Sequence, residues 1–397
     1  MRSFRKIIPR TILATNRATF FTGNTSFEPE VEAFRSAAKM FTKEKIAPFA
    51  LEWDKKHICP TDTMREAGQH GFLGIYVPEE LGGSALSRLT AAVIFEELAY
   101  GDIGVSAQMS IQNMVNWIIA EYGSAELKKE FCEKLSSGEL LGSYCLTEPN
   151  SGSDSAGLST TAKAQGDSLI INGSKMFITG GSVSDIYIVF CLTGEKEISA
   201  VIIPKTAEGV SFGKPELKMG WNTSTTATIS FDNVKIPKRN LIGTAGMGFK
   251  YAMNGLNGGR INIGACSLGG AQLALDKALE YVKVRKQFGK TISDFQNTQF
   301  TLAKIQTRVT ASRLFLYEAA KNIDLDSSEK VSWAAMAKYF VTEECYFAVD
   351  EALQLFGGYG YLQEYGVEKI LRDMRVNRIL EGTNEIMKLI ISRIMIK

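Results

Sequence analysis

The sequence predicts an α+β fold in which a helical N-terminal domain, a central antiparallel β domain and a helical bundle follow one another along the chain. Apolar residues recur three and four positions apart before about Gly142 and again after Gly246. The region between them has short alternating or β-branched runs. Helices and strands do not alternate as they do in a doubly wound nucleotide-binding fold. We therefore divide the chain into domains at residues 25–142, 143–242 and 243–397.

The first domain is predicted to be helical from two stretches, Pro29 to Phe49 and Leu89 to Tyr100. Glycines at 82, 83 and 101 interrupt the helical pattern. Residues 1–24 precede this domain and differ in character, because they are basic, rich in hydroxyl side chains and free of acidic residues. That composition is typical of a mitochondrial transit peptide, although a basic N-terminal arm would have the same composition.

Four runs between residues 143 and 242 are predicted to be strands, each bounded by Gly, Asn or Asp. They are Ser168 to Thr179, Asp185 to Leu192, Ile198 to Ile203 and Thr225 to Val234.

In the last domain, two apolar faces at helical spacing predict packed helices. One face consists of Leu302, Ile305, Val309 and Leu316, and the other of Met336, Phe340 and Phe347.

Composition excludes several classes of function. The net charge of +2 provides no overall field for binding nucleic acid or an anionic membrane. Six cysteines are scattered without metal-ligand spacing, which argues against a disulfide framework or a structural metal. The chain has no apolar run long enough to span a bilayer. It also lacks the glycine-rich motifs of Rossmann and P-loop proteins, so any nucleotide cofactor binds by other means.

A catalytic base is sought among carboxylates, Lys and Tyr, because the only two histidines, His57 and His70, both lie in the first domain. Glu381 follows two apolar residues and precedes Gly382, a setting that could desolvate the carboxyl and raise its pKa toward neutrality. The residue type alone favours a surface or capping glutamate, since carboxylates with strongly shifted pKa are a minority. Residues 233–275 contain no Asp or Glu, which removes the helix after Gly246 as a second source of a base.

Several further segments suit ligand binding, and each also has a structural explanation. Paired glycines beside Arg260 permit close backbone approach next to a cation, but a tightly packed helix with an extended arginine explains them equally. Taken one at a time, the remaining four segments are also explained without a ligand, as a turn, a strand end, a solvated charge run and a helix C-cap. They are Tyr144 to Asp154, Phe177 to Gly180, Val284 to Lys290 and Gln354 to Gly360.

Together these segments resemble, in order and spacing, the acyl-CoA dehydrogenase family, over about residues 28 to 397. The resemblance implies three domains, helical, β and a four-helix bundle, assembled as a homotetramer with FAD bound partly across a subunit interface. It implies that the isoalloxazine ring meets Tyr144, Leu146, Thr147, Ser153, Phe177, Ile178 and Thr179. The adenosine and diphosphate half would meet Arg285, Phe295, Gln296, Gln354, Leu355, Phe356, Gly357, Gly358, Thr383, Asn384 and Glu385. The acyl-CoA would contact Ser153, Asn257, Gly258, Gly259, Arg260, Gly382 and Arg393.

The resemblance also assigns the base. Glu381 matches the base of the short-chain, medium-chain and isobutyryl members, whereas other members place theirs on the helix near Gly259, which here is free of acids. Glu381 would remove the α-proton of an acyl-CoA while the β-hydrogen passes as hydride to flavin N5, and electron-transfer flavoprotein would accept the electrons in the mitochondrial matrix.

The branch of the family that Leu256 to Ile263 and the Glu381 segment resemble oxidises isobutyryl-CoA in valine breakdown. Two departures concern the wider family. Asn150 and Ser151 replace a Gly-Ala or Gly-Ser pair, and Asn257 stands where an acidic residue is common. The alternatives are a 2-methylbutyryl-CoA or butyryl-CoA dehydrogenase, an acyl-CoA oxidase, and a non-catalytic assembly factor on the same scaffold.

Overall fold

The computed structural model describes residues 27–396, so the predicted transit peptide lies outside the described residues. Six helices come first, and three of them begin at side-chain caps: Ser87 accepts a hydrogen bond from Thr90 N, Asp102 from Val105 N and Ser124 from Leu127 N. The helices are α1 Pro29–Phe41, α2 Ala50–Lys56, α3 Thr61–Gln69, α4 Arg88–Gly101, α5 Ile103–Tyr122 and α6 Ala125–Ser136.

The first predicted helix, Pro29 to Phe49, is shorter than expected. Its α-helical part ends at Phe41 and continues as a π turn over Thr42–Ile46. Pro48 limits the helix, because it has no N–H to donate and the helical hydrogen bonding does not continue beyond Ala47.

A single eight-stranded sheet forms the middle of the chain, in the order β6-β7-β3-β2-β4-β5-β8, with β1 paired to β4. Most pairs are antiparallel as predicted, but β4 runs parallel to both β1 and β2. The strands are β1 Gly142–Cys145, β2 Thr161–Gln165, β3 Ser168–Thr179, β4 Ile186–Gly194, β5 Glu197–Pro204, β6 Val210–Phe212, β7 Thr226–Pro237 and β8 Leu241–Ile242.

Residues 248–396 contain five α-helices, one more than the resemblance implied. A small hairpin of β9 Lys286–Gln287 and β10 Lys290–Thr291 separates the first two helices. Within the described residues no helix is both long and apolar enough to cross a bilayer. The helices are α7 Gly248–Val284, α8 Gln296–Asp324, α9 Lys330–Phe356, α10 Val367–Asn377 and α11 Asn384–Ile396.

The buried face of α9 differs from the predicted one. Met336 and Phe340 are only partly buried, and 45% of Phe347 is exposed. The buried face consists instead of smaller residues, Ala334, Ala337, Val341, Cys345 and Ala348. Small side chains let α9 lie close to α7, where glycine and alanine are also frequent. On α8 the prediction is confirmed, because Ile305, Val309 and Leu316 are fully buried and Leu302 packs, partly buried, against the same core.

One hydrophobic core joins the first and last helical segments, because α4 and α5 pack directly on α7. Phe95 and Leu98 of α4 belong to the same cluster as Ile263 and Leu268 of α7. The N-terminal part of α7 is therefore enclosed between the two helical layers and the sheet, and the predicted order of helical, β and helical regions is confirmed.

Candidate active site

Glu381 lies in a tight turn between α10 and α11. Its φ is +56° and that of Gly382 is +90°, so two successive residues adopt left-handed conformations. Such backbone is strained by about 1–3 kcal/mol for a residue other than glycine, and it persists where surrounding contacts fix it. The turn aims the side chain of Glu381 back toward α7.

The carboxylate of Glu381 occupies the space that a side chain on Gly259 would fill. A Cβ atom on Gly259 would lie 2.6 Å from both Cδ and Oε1 of Glu381, and closer still to Oε2. Both carboxylate oxygens are inaccessible to solvent, and neither has a hydrogen-bond partner among the described residues. A buried, unpaired carboxylate is costly unless it is neutral or awaits a ligand.

Burial raises the pKa of Glu381 to about 8, and the charges of Arg260 and Lys338 oppose that shift without cancelling it. A carboxyl group with a pKa near neutrality holds a proton strongly enough to take one from a weak carbon acid. A carboxyl group with this pKa is suited to act as a general base, the role that the family resemblance implies for Glu381.

Arg260 contacts the turn that carries the carboxylate. Its Nε donates to the carbonyl oxygen of Glu381 at 3.4 Å, and its Nη1 donates to Oδ1 of Asn257 at 2.8 Å. Both side chains are buried on α7, one turn apart. The structure thus brings the predicted substrate residues Asn257, Gly258, Gly259 and Arg260 together with Glu381 and Gly382.

Three residues around Glu381 were not predicted from the sequence. The guanidinium carbon of Arg88 lies 3.6 Å from the centre of the Tyr76 ring, and would be 2.9 Å from a Cβ on Gly258. The negative charge of Glu381 helps to raise the pKa of Tyr76, after the larger effect of burial. Lys338 of α9 donates to the carbonyl oxygen of Gly382. Its one sequence signal is a lysine among the apolar residues of a helix, which also describes many surface lysines.

The end of β1 and the end of β3 lie side by side next to this turn. Met176 N donates to the carbonyl oxygen of Thr147 at 2.9 Å, and Lys175 Nζ donates to that of Leu146 at 3.0 Å. The Tyr144 hydroxyl donates to Ala252 O on α7, and Glu381 contributes, after burial, to raising the pKa of Tyr144. Tyr144 is thus near enough to the base to feel its charge, and hydrogen bonds join the predicted ring-binding segment after β1 to β3.

Phe177 departs from ordinary strand geometry. It has a φ of +58°, lies in an irregularity of the pairing between β3 and β7, and is 60% exposed, whereas its neighbour Ile178 is buried. An exposed aromatic ring in strained backbone beside Thr179 offers a face for a flat ligand.

A separate cleft of about 420 Å³ lies where α7 and α9 end. Arg285 and the segment Gln354 to Tyr359 line it, together with Tyr281 and Gln287. A Cβ atom on Gly357 or Gly358 would meet nothing within 4 Å, so this backbone is open to a ligand. The structure therefore brings Arg285 and the predicted glycine segment into one site.

Other predicted residues do not join either group within one chain. Ser153 is exposed on the loop after β1, and Arg393 is exposed on α11, more than two turns beyond Asn384. The centre of the Phe295 ring lies 4.2 Å from Lys290 Nζ, and Gln296 begins α8. Neither residue lines the cleft of about 420 Å³. Thr383 caps α11 through Ile386 N, and Glu385 is exposed in its first turn.

Three family models match successive parts of the chain. They are described as the N-terminal domain of acyl-CoA dehydrogenase at residues 28–139, the middle domain at residues 143–234 and the C-terminal domain at residues 246–396.

Known proteins match nearly the whole chain. Mitochondrial isobutyryl-CoA dehydrogenase of Dictyostelium discoideum is 49% identical over 391 residues, covering 96% of this chain and 94% of that protein. The mitochondrial isobutyryl-CoA dehydrogenase of Bos taurus is 47% identical over 367 residues, covering 92% and 88%. Among solved structures, butyryl-CoA dehydrogenase from Megasphaera elsdenii superposes with a TM-score of 0.91 at 37% identity, covering 94% of this chain and 99% of that one.

Proposed function

Because this chain belongs to the acyl-CoA dehydrogenase family, we propose that it oxidises isobutyryl-CoA to methacrylyl-CoA with Glu381 as the base. The observation that supports the base is the buried carboxylate of Glu381, which has no hydrogen-bond partner among residues 27–396 and occupies the space above Gly259. The choice of substrate rests on the two isobutyryl-CoA dehydrogenases, with identities of 49% and 47% over nearly the whole chain.

The reaction requires a base that is close to the substrate and not committed to another donor. Arg260 and Lys338 bind the carbonyl oxygens of the turn, at Glu381 and Gly382, and leave the carboxylate oxygens free. Glu381 takes the α-proton of the thioester, and an α,β-unsaturated product forms as the β-hydrogen leaves. A bound substrate keeps water out of the site, so the buried surroundings that raise the pKa of the carboxyl persist during the reaction.

The residues present fit FAD. Tyr144, Leu146 and Thr147 would hold the flavin ring together with Phe177 to Thr179, which offer an exposed aromatic face on strained backbone. Arg285 and Gln354 to Gly358, which line the cleft of about 420 Å³, would hold the adenosine and diphosphate half. FAD, when bound, accepts the β-hydrogen as a hydride.

The remaining family properties are part of the proposal. A homotetramer would bring the partly buried Phe295 and the exposed Gln296 to FAD in a second subunit. Electron-transfer flavoprotein would take the electrons onward. The basic segment at residues 1–24 and the two mitochondrial relatives support import into the mitochondrial matrix.

Anaerobic titration of the purified protein with isobutyryl-CoA, 2-methylbutyryl-CoA and butyryl-CoA tests this proposal through the flavin absorbance. We expect the strongest bleaching with isobutyryl-CoA. Stronger bleaching by 2-methylbutyryl-CoA or butyryl-CoA would indicate that this thioester is the substrate. A flavin absorbance that none of the three changes would contradict the proposed reaction. Oxygen consumption by the reduced enzyme separates an oxidase from a dehydrogenase, and a purified protein without flavin would favour the assembly factor.

Glu381→Gln tests the base. The variant should retain FAD and bind acyl-CoA, but its turnover should fall by about 10²- to 10⁴-fold, as general-base removal does. Glu44→Gln, on the exposed surface of the first domain, is the control and should keep full turnover. Wild-type turnover in Glu381→Gln would remove Glu381 from the mechanism.

A further inference from the structure

Lys338 is a fully buried lysine, and within the described residues both hydrogen bonds of its Nζ are to the segment that carries the base. Its Nζ donates to the carbonyl oxygen of Gly382 at 2.9 Å and to Oδ1 of Asn384 at 2.8 Å. Lysine is almost never fully buried unless its charge is paired or bound by acceptors. Both acceptors lie within three residues of Glu381, so the hydrogen bonds of this buried amine hold the turn at Glu381 in place.

That segment needs external contacts to hold its shape. Glu381 and Gly382 both have positive φ, and a short turn with such backbone keeps its conformation only where neighbours impose it. Asn384 extends the hold of α9, because its Nδ2 donates to Thr342 Oγ1 at 3.1 Å and to Glu343 Oε1 at 2.8 Å. Side chains of α9 therefore bind the turn at two points: Lys338 binds the Gly382 carbonyl, and Thr342 and Glu343 bind Asn384.

The charges that face Glu381 come from several elements. Arg260 on α7 and Lys338 on α9 are the cations, while Glu343 on α9 and Glu385 on α11 act on Lys338 from the other side. Tyr144 on β1, Tyr76 before α4 and the Cys266 thiol on α7 also interact with the charge of Glu381. The positive charge of Lys338 lowers the pKa of Glu381 against the larger, opposite effect of burial, while burial lowers the pKa of Lys338 to about 7, so the two groups titrate in the same pH range. Loss of this charge therefore makes the carboxyl hold its proton to higher pH.

We propose that Lys338 is a positioning residue for the reaction: by binding the Gly382 carbonyl and Asn384, it holds the Glu381 carboxylate in its reactive place above Gly259. This inference rests on the proposed function, since it assigns to Lys338 the placement of the base that Glu381 provides. Lys338 acts through the turn and through its charge, without contact with the reacting atoms.

The test compares three variants of the full-length flavoprotein. Lys338→Met removes the charge and the donor while keeping the length of the side chain, and Lys338→Arg keeps both. Lys277→Met is the matched control, because Lys277 is also a largely buried lysine that donates to a backbone carbonyl, that of Tyr365 at 3.1 Å, and its charged neighbour is Glu280. The rate of flavin reduction by isobutyryl-CoA is measured without oxygen from pH 6 to 10, with protium and with deuterium at the α carbon.

For Lys338→Met we expect at least a 10-fold lower limiting rate with little change in the Kd of acyl-CoA, because a displaced base slows proton transfer and leaves binding intact. The midpoint of the pH profile should rise and the α-deuterium isotope effect should grow. Lys338→Arg should recover part of the rate and most of the midpoint, and Lys277→Met should match the wild type in all three measurements.

A Lys338→Met enzyme with a wild-type rate and pH midpoint would overturn the proposal. A lower melting temperature with an unchanged midpoint would also overturn it, because that result describes a purely structural lysine. If Lys338→Met yields no folded flavoprotein, Lys338→Gln replaces it, and an unshifted midpoint there counts against the proposal. A wild-type enzyme that isobutyryl-CoA does not bleach would instead refute the proposed function, so the two failures are distinguishable.

Discussion

Replacement of Gly259 by alanine tests whether the empty space on α7 is what admits the base. A Cβ atom at this position would lie 2.6 Å from Cδ of Glu381, and ordinary contact begins at 3.4 Å, so Cδ must retreat by about 0.8 Å and Oε2, which lies closer still, by more. Because its turn is held by Arg260 and Lys338, the side chain has to leave the orientation seen here.

The magnitude follows from the sensitivity of proton transfer to position. A misplacement of about 1 Å can lower a rate by about 10²-fold, so we expect a fall in kcat of that order for Gly259→Ala. Stability should move differently, because alanine is favoured over glycine inside a helix by about 1 kcal/mol. That gain offsets part of the steric cost and keeps the protein folded.

Steady-state kinetics with isobutyryl-CoA and thermal melting of the same preparations provide the assay. Gly255→Ala is the control one turn earlier on α7, where the nearest atom to an added Cβ is the flexible Cδ1 of Ile118 at 3.1 Å. This control should keep nearly full turnover. If Gly259→Ala turns over as fast as the wild type, the carboxylate does not occupy the space above Gly259 during the reaction, and the argument fails.

Three further predictions concern ionisable groups. In the wild type, kcat/KM should rise with pH to a plateau, with a midpoint near 8. The reason is that Glu381 must lose its proton to act, and burial raises its pKa to about 8. A profile already flat at pH 6 would contradict this prediction. Because that pKa is higher in the folded chain than the ordinary value of 4.5, the free energy of unfolding should decline as pH rises from about 4.5 to 8, and Glu381→Gln should melt increasingly above the wild type across that interval. Lys175→Met should lower the free energy of unfolding by about 3 kcal/mol, because it leaves the buried Glu148 carboxylate without the Nζ that lies 2.7 Å away. Urea unfolding measures this loss, and the double variant Glu148→Gln, Lys175→Met should recover part of it.

The buried Glu148 and Lys175 pair shows how the loop after β1 is fixed. Burial raises the pKa of Glu148, but Lys175 and the donors at Thr160 and Ser159 overcome it and bring the pKa to about 2. The sequence pattern led to a polar turn that offers hydroxyls to a ligand. The structure shows that this carboxylate instead anchors the loop to β3, which places Thr147 beside Met176.

Secondary structure was predictable wherever local periodicity was strong. Strand β3 has the predicted bounds, Ser168–Thr179, and its β-branched residues lie toward its two ends. The prediction was wrong for the buried face of α9, since apolar size is a poor guide where two helices approach closely and alanine fills the contact. It was also too long for α1, where Pro48 ends the regular hydrogen bonding.

The sequence by itself determined the succession of helical, β and helical regions and, with the family resemblance, the choice of Glu381 as base. Two histidines in the first domain and the absence of acids between residues 233 and 275 narrowed that choice before any contact was known. Only the tertiary structure decided that the Glu381 carboxylate lies above Gly259 and that Lys338 holds its turn. The physical reason is that propensity and periodicity act over a few residues, whereas burial and charge at Glu381 arise from α7 and α9, which only the packing of the core brings to the same place.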